Sequence, residues 1–296
     1  MPELQLPDAF AWVPFPWGQA LRCQPLETVA RHGFTTRQPA IASGDGIHGD
    51  HWNCLAQAFG VPQSHVVRFR QVHGTRVVVV TAAAAGACIG GESSGDWGEA
   101  DAAATDHSEL ALAVKVADCV PVLMADARTG AVAAVHAGWR GAMSGVAAAA
   151  VATLSSSFGA DPADLVAAVG PSIGPCCYRV GAELRDQFVR AGASEAAAQR
   201  WFSATPPRVS LRGVPGSVPT SPDGRDPLWL NMWAVVSDQL RLAGLSADHV
   251  HVAQLCTSCH RDVFHSFRAD GDRSGRMVAM IRAGGRGYVP SRSSSE

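Results

Sequence analysis

The sequence lacks any apolar stretch of the roughly 18 residues that a membrane-spanning helix requires. Its N-terminal stretch starts with an acidic residue and is interrupted by prolines, which is not the pattern of a secretory signal peptide. Both absences favour a cytoplasmic protein with no membrane partner.

Charges are also scarce, and the cysteines are too few for a disulfide-rich protein. Charged residues make up 17% of the chain, and the formal net charge is only −2 at pH 7. Proteins that bind nucleic acid or anionic lipid normally carry a basic excess, so this balance argues against both partners. Eight cysteines are too few for a disulfide scaffold in 296 residues. We therefore expect core thiols, metal ligands or nucleophiles.

The apolar content, 47% of the chain, is ordinary for a globular protein with a sizeable core. Short apolar runs typical of strands are interspersed with longer segments typical of helices. We predict a single catalytic α+β domain over residues 29–284, with a large mixed β-sheet and flanking helices. An extended arm over residues 1–28 would precede it, and a flexible tail over residues 285–296 would follow.

Several segments have patterns that place individual elements. Residues 66–81 predict two strands around a turn at His73–Gly74. Helices are predicted at 141–157, 181–202 and 229–243, the last ending at Gly244. Further strands are predicted at 164–170, 249–255 and 277–282, and loops at 82–98 and 203–227.

The chain is organised around residues 116–141, in which two apolar runs flank the turn Asp126–Gly130. If the runs pair as a hairpin, Cys119 at the start of the first meets His136 at the end of the second. A glycine turn and an alanine-rich helix follow. The free N–H groups at the start of such a helix suit an anion, as does the nearby Arg140.

A second histidine, His73, also lies where an apolar strand meets a turn. Two imidazoles and one thiolate suit Zn²⁺ and leave a fourth position for water. His73, Cys119 and His136 are therefore a candidate metal set. The alternative from the residues alone is two hydrogen-bonded histidines and a buried thiol.

A different interpretation makes Cys119 a nucleophile and His136 its base, with Asp118 or Asp101 orienting the imidazole. This needs a stabilised thiolate, for which Arg140 is a candidate.

The other cysteines and two arginines carry weaker signals. The adjacent pair Cys176–Cys177 is expected to pack in the core. Cys256 and Cys259 form a C-x-x-C, but no second such motif exists, so structural zinc is not expected. Arg37 and Arg268 suit phosphate, with surface salt bridges as the alternative.

Seven motifs together resemble one widespread family far more specifically than any one of them does. They are HGFTTR (32–37), RQVHGTRV (70–77), EADAAATD (99–106), VADCVPVL (116–123), HAGWRG (136–141), GPSIGPCCY (170–178) and FHSFRADGDRSGRM (264–277). The family was once called multicopper polyphenol oxidase or laccase-like. It includes the bacterial peptidoglycan editing factor and a human relative that acts on purine nucleosides. The similarity runs from about residue 31 to residue 283.

The resemblance implies that His73, Cys119 and His136 hold a metal, with zinc as the first candidate and copper as the second. It implies phosphorolysis of adenosine, inosine, guanosine and methylthioadenosine, and hydrolytic deamination of adenosine. It also implies a single α+β domain.

For this chemistry we predict functional roles for five further residues. Asp118 is the candidate for proton transfer. The phosphate-binding candidates are Arg37, Arg140, Gly141 and Arg268, and the two arginines Arg37 and Arg140 would also stabilise developing charge. The expected partners are a small nucleoside and phosphate, bound by a monomer.

Three alternatives stay open. One is an amidase that edits peptidoglycan precursors by removing a misincorporated serine from the muramyl nucleotide (UDP-MurNAc-L-Ser). Another is a copper-dependent polyphenol oxidase, although the chain has only one H-x-H pair, His249 and His251, for a copper cluster. The third is a non-enzymatic metal-binding module whose site is closed by a fourth ligand, with Cys256 as the candidate.

Overall fold

The computed structural model describes residues 4–39, 49–81, 96–205 and 224–284. The predicted tail over 285–296 lies outside these residues, as do 82–95 and 206–223 of the two predicted loops.

Most of the strands belong to two large sheets. The strands are β1 (Phe10–Phe15), β2 (Gly18–Cys23), β3 (Arg31–Thr35), β4 (Val66–Arg70), β5 (Val77–Val79), β6 (Asp96–Glu99), β7 (Ala102–Thr105), β8 (Ala111–Val116), β9 (Val120–Ala125), β10 (Val132–Ala137), β11 (Val166–Val169), β12 (Arg179–Val180), β13 (Phe202–Ser203), β14 (Leu228–Leu230), β15 (Val250–Val252) and β16 (Met277–Arg282). The helices are α1 (Gln24–Glu27), α2 (Gly49–Ala58), α3 (Trp139–Met143), α4 (Val146–Phe158), α5 (Glu183–Arg190), α6 (Glu195–Trp201), α7 (Met232–Leu242) and α8 (Phe267–Asp270). None of the described helices has the length and apolar content needed to cross a bilayer.

The first sheet has the strand order β1-β2-β3-β16-β8-β4-β6, and the second has the order β15-β11-β9-β10-β7-β5. Both sheets are mixed. In the first sheet, β4 pairs in parallel with β6 and with β8. In the second sheet, β11 pairs in parallel with β15, and β5 pairs in parallel with β7. A small third sheet joins β12, β14 and β13. The predicted α+β class with large mixed sheets is confirmed, with the predicted single sheet divided into two.

Apolar side chains fill the space between the two large sheets. Leu112 and Ile281 of the first sheet belong to the same buried cluster as Leu123 and Val132 of the second. Helix α2 covers the outer face of the first sheet, and α4 and α7 cover that of the second. Because both faces of the central strands are buried, the strands are apolar throughout rather than alternating.

Residues 10–23 of the predicted N-terminal arm form two strands of the first sheet, and residues 24–27 form the short helix α1. β1 and β2 form an antiparallel hairpin, and β2 pairs with β3. Pro14 is tolerated because β1 is an edge strand of the sheet, where a residue on the open side needs no N–H group for an inter-strand hydrogen bond.

Two predicted helices are each divided by a glycine in the left-handed region. The helix predicted at 141–157 is α3 followed by α4, with Gly145 at φ 86° between them. The helix predicted at 181–202 is α5 followed by α6, with Gly192 at φ 108° and Ser194 capping the second helix through Ala197 N–H. Glycine adopts this conformation without a Cβ penalty, which ends the first helix of each pair.

Candidate metal centre

One end of the second sheet collects the predicted metal ligands. β9 and β10 form the predicted antiparallel hairpin, in which His136 lies opposite Pro121 and Ala137 opposite Val120. Cys119 precedes Val120 directly, so its thiol lies beside His136. His73 lies between β4 and β5, which belong to different sheets, so this segment crosses over the same end.

The three side chains face one another closely. Cys119 Sγ lies 3.7 Å from His73 Nε2, and the ligand atoms of all three residues lie within 4.8 Å of one another. The two imidazole rings stand at 74° with centroids 4.8 Å apart. Around a tetrahedral zinc ion with bonds of about 2.0–2.3 Å, neighbouring ligand atoms are roughly 3.3–3.8 Å apart. The donor set and its spacing therefore fit a zinc ion with small adjustments of the side chains.

Asp101, just before β7, holds two of the ligands in place. Its Oδ1 accepts hydrogen bonds from His136 Nδ1 at 2.8 Å and from the His73 N–H at 2.9 Å. Its Oδ2 accepts from the N–H groups of Gly74 at 2.5 Å and Val72 at 3.2 Å. The carboxylate thus assigns the proton of His136 to Nδ1 and leaves Nε2 for a metal. It also secures the turn in which His73 has φ 61°.

The short distances between the side chains of the centre shift the pKa values of Cys119 and His136. Burial raises the pKa of Cys119, but His136 and His73 outweigh this and lower it to about 6. Burial lowers the pKa of His136, whereas Cys119 and Asp101 raise it to about 9. Without a metal, the pair is therefore a thiolate and an imidazolium at neutral pH.

These values predict how the metal-free protein reacts with an alkylating agent. Only the thiolate is a nucleophile, so the alkylation rate of Cys119 should fall as the pH drops through about 6. Peptide mass spectrometry after iodoacetamide treatment in a chelator gives the midpoint. A midpoint near the ordinary value of 9.0 would contradict this account of the site.

Two glycines of the HAGWRG motif make room for the centre. A Cβ at Gly138 would lie 2.4 Å from His73 Cδ2 and 3.2 Å from Cys119 Sγ. A Cβ at Gly141 would lie 2.8 Å from the carbonyl oxygen of Gly74. The predicted phosphate-site residue Gly141 is thus a close-packing position beneath the His73 turn.

Replacing Asp101 with asparagine should weaken zinc binding by about 10–100-fold, as for other residues that orient a metal ligand. The amide group cannot accept all the hydrogen bonds of the carboxylate. Competition with a chromophoric chelator measures the affinity. Asp126→Asn is the matched control, because Asp126 is also buried and accepts from Arg128 N–H and Thr129 Oγ1 at the far end of the hairpin. An equal loss in both variants would contradict the role of Asp101.

The centre opens into a pocket of about 280 Å³. Aromatic and apolar side chains form most of its wall, together with one carboxylate and one guanidinium. The lining includes His73, Cys119, Asp118, Trp139, Ile173, Tyr178, Met232, Phe267 and Arg268.

Besides two of the predicted metal ligands, the predicted site residues Asp118 and Arg268 line this pocket, and a hydrogen bond joins them. Asp118 Oδ2 accepts from the Arg268 N–H at 2.6 Å, and Oδ1 accepts from Thr257 Oγ1 at 2.6 Å. Burial raises the pKa of Asp118. The Arg268 guanidinium lies over the Tyr178 ring at 5.1 Å and donates to the carbonyl oxygen of Arg179.

The other two predicted arginines do not line this pocket. Arg140 is exposed beside the pocket and lies over the ring of Trp139 at 4.3 Å, with no acidic partner among the described residues. Arg37 donates to the carbonyl oxygens of Arg261 and Phe264 and lines a different cavity. The structure does not bring Arg37 to the pocket, and its phosphate role stays a prediction.

Several residues contact the centre or line its pocket although the sequence alone indicates only a minor role for them, or none. The sequence indicates Asp101 only as one of two candidates to orient the His136 imidazole in the cysteine-nucleophile interpretation, whereas in the structure it also holds the His73 turn. Gly138, Trp139, Tyr178 and Phe267 carried no assigned role. The only sequence signal for them is that each lies inside one of the seven motifs or directly beside a predicted ligand.

The comparisons with known proteins identify the family of the chain and show the same fold. The chain belongs to the multi-copper polyphenol oxidoreductase laccase family, whose sequence model matches residues 49–284. Among its relatives, the purine nucleoside phosphorylase YlmD of Geobacillus stearothermophilus is 30% identical over 263 residues, which cover 85% of this chain and 87% of that protein. A purine nucleoside phosphorylase of Mycobacterium bovis is 35% identical over 227 residues, which cover 77% of this chain and 76% of that protein.

Solved structures share the whole fold. The crystal structure of YlmD from Geobacillus stearothermophilus has a TM-score of 0.72 and 30% identity, and the match covers 94% of this chain and 99% of that one. The crystal structure of YfiH from Bacillus licheniformis has a TM-score of 0.73 and 26% identity, covering 93% and 99%. The resemblance predicted from the motifs is confirmed.

Proposed function

We propose that the protein is a zinc-dependent purine nucleoside phosphorylase. The observation that carries the proposal is a compact set of two imidazoles and a thiol at the base of a pocket lined by aromatic rings and Arg268. The relatives named as purine nucleoside phosphorylases support it. The proposed substrates are adenosine, inosine, guanosine and methylthioadenosine, with phosphate.

The apolar part of the pocket would bind the purine. Trp139, Tyr178 and Phe267 provide flat surfaces on which a base can stack. Burial raises the pKa of the Tyr178 phenol, so the group stays neutral and can donate a hydrogen bond. Ile173 and Met232 exclude water from the same wall.

The cationic part would bind phosphate. In phosphorolysis, a phosphate oxygen forms a bond to C1′ of the ribose while the bond from C1′ to the base breaks and its electron pair leaves with the base. Arg268 on the pocket wall and the exposed Arg140, which follows the wall residue Trp139, would hold the anion. Orientation of phosphate and ribose supplies much of the rate enhancement.

The departing base needs a proton, and Asp118 is the proposed donor. Its raised pKa keeps a larger protonated fraction than an ordinary carboxyl group has at the same pH. Its hydrogen bond to the Arg268 N–H also fixes the position of the phosphate-binding side chain.

His73, Cys119 and His136 would hold the metal, with copper as the alternative to zinc. A bound zinc ion supplies Lewis acidity and positive charge beside the reacting atoms. Hydrolytic deamination of adenosine is proposed as a second reaction of the same centre.

A product assay tests the proposal. Purified protein is incubated with adenosine, with and without phosphate, and the products are separated by chromatography. We expect adenine and ribose 1-phosphate in equal amounts only when phosphate is present, and inosine as the deamination product. Release of serine from the muramyl nucleotide UDP-MurNAc-L-Ser, with no turnover of any nucleoside, would overturn the proposal in favour of the amidase.

Arg268→Ala should raise the KM for phosphate by at least about tenfold, because a hydrogen bond to a charged group contributes roughly 1.5–3 kcal/mol. The KM for the nucleoside should change less. Initial rates at varied phosphate concentration give both constants. Arg261→Ala is the control, since Arg261 is exposed and pairs with Asp270 outside the pocket. An unchanged phosphate KM in the Arg268 variant would exclude this residue from phosphate binding.

A further inference from the structure

Two pairs of cysteines that are far apart in the sequence converge beside the pocket. Cys176 and Cys177 follow β11, and Cys256 and Cys259 follow β15. β11 and β15 are parallel neighbours, so their C-terminal loops leave the sheet side by side. An isolated parallel bridge between Ser172 and Cys256 continues the pairing into these loops.

The four thiols form one cluster. Cys259 Sγ lies 3.4 Å from Cys177 Sγ and 3.5 Å from Cys176 Sγ. The Gly174 N–H donates to Cys256 Sγ at 3.2 Å, and all four sulfur atoms lie within 4.8 Å of one another. The cluster is separate from the His73–Cys119–His136 centre, and the Cys256 thiol belongs to it rather than closing that centre as a fourth ligand.

We propose that these four cysteines bind a structural zinc ion. Zinc–sulfur bonds of about 2.3 Å place the sulfurs of a tetrahedral four-thiolate site roughly 3.8 Å apart, close to the spacing of this cluster. An iron–sulfur cluster spreads its cysteines over two or more irons, which needs more space between the sulfurs. Cys176 and Cys177 are buried in the core, as predicted. The proposal departs from the expectation of no structural zinc at Cys256 and Cys259, because the fold supplies the second pair of thiols that the sequence motif lacks.

The surroundings are those of a closed site. Cys176, Cys177 and Cys256 are buried, and the rings of Tyr178 and Trp233 pack against the cluster. A Cβ at Gly174 would lie 2.7 Å from the Trp233 ring and 3.0 Å from Cys256 Cβ, so the loop approaches the sulfurs as only glycine allows. Four protein ligands leave no position for substrate, which is typical of a structural rather than a catalytic zinc.

A metal here would join two loops that form the pocket wall. Ile173 and Tyr178, on either side of the first cysteine pair, line the pocket. Ile173 also donates its N–H to the Asp118 carbonyl oxygen at 3.0 Å, and Thr257 donates to the Asp118 carboxylate. The zinc would thus hold the positions of Asp118 and Tyr178 without touching substrate.

Metal counting tests the proposal independently of any enzymatic assay. Protein purified without chelator, analysed by mass spectrometry for metals, should contain two zinc ions per chain. Cys119→Ala and Cys259→Ser should each contain one, and the control Cys54→Ser, on α2, should contain two. A wild-type protein with one zinc that Cys119→Ala abolishes would overturn the proposal.

A second measurement does not depend on a variant of the cluster. Cobalt is substituted into Cys119→Ala, so that the pocket centre contributes no thiolate-to-cobalt charge transfer and a four-thiolate spectrum reports the cysteine cluster. We expect the intense spectrum of a tetrahedral four-thiolate site. Absence of this spectrum, a disulfide between any two of the four cysteines, or bound iron with inorganic sulfide would each overturn the proposal.

Discussion

Replacing Cys119 with alanine is expected to remove the metal from the pocket and to lower turnover by more than about 100-fold. The thiolate is the only anionic ligand of the set, and its Sγ lies 3.7 Å from His73 Nε2. Loss of a residue that merely orients a ligand already costs about 10–100-fold. Loss of the ligand itself leaves two neutral imidazoles, which bind zinc far more weakly.

Metal content and phosphorolysis rates measured on the same preparation check this expectation. Cys54→Ala is the matched control, because it removes a thiol on α2 outside the pocket. Full activity in a metal-free Cys119→Ala protein would rule out a catalytic metal at this centre.

Gly138→Ala should be nearly as damaging, although glycine and alanine differ by one methyl group. The backbone of Gly138, at φ −69° and ψ 165°, is open to any residue, so the effect is steric. The added Cβ would lie 2.4 Å from His73 Cδ2, which forces the imidazole away from Cys119. We expect zinc affinity to fall at least as far as in Asp101→Asn, by about 10–100-fold or more.

Zinc affinity and thermal unfolding should be measured together, because displacement of His73 affects the site more than the fold. Gly33→Ala is a matched control, since a Cβ at Gly33 in β3 meets its nearest atom at 3.8 Å. Normal zinc binding by the Gly138 variant would mean that His73 is not held where the structure places it.

The hairpin that carries Cys119 and His136 could be predicted because both of its determinants are local. Two apolar runs flank one turn, and their ends place the thiol beside the imidazole. His73 is different, because it reaches the site from a crossover between two sheets. Its position between a strand and a turn makes it a candidate, but the resemblance to a family was needed to select it, since no local pattern specifies which sheets β4 and β5 will join.

The four-cysteine cluster could not be predicted from the sequence, because it also depends on which distant strands pair. A C-x-x-C and an adjacent pair carry no mutual signal along the chain. They meet only because β11 and β15 are parallel neighbours, and parallel pairing between distant strands leaves no local trace in either segment. The sequence offers Asp101 as one of two candidates to orient His136, but its hydrogen bond to the His73 turn depends on the same long-range crossover and has no local signal.

The two divided helices are different, because the residues that divide them are visible in the sequence. Gly145 and Gly192 lie inside the predicted helical segments and divide them. Ser194, which caps the N-terminus of α6, is also a signal that lies within the segment itself. The apolar periodicity across each break continues because both shorter helices pack on the same core.

Anomalous diffraction at the zinc edge, from crystals of protein with full phosphorolytic activity, tests the central claim most directly. The account predicts a peak bounded by His73 Nε2, Cys119 Sγ and His136 Nε2, at about 2.0–2.1 Å from each nitrogen and about 2.3 Å from the sulfur. Crystals of fully active protein with no metal peak between these three side chains would contradict it.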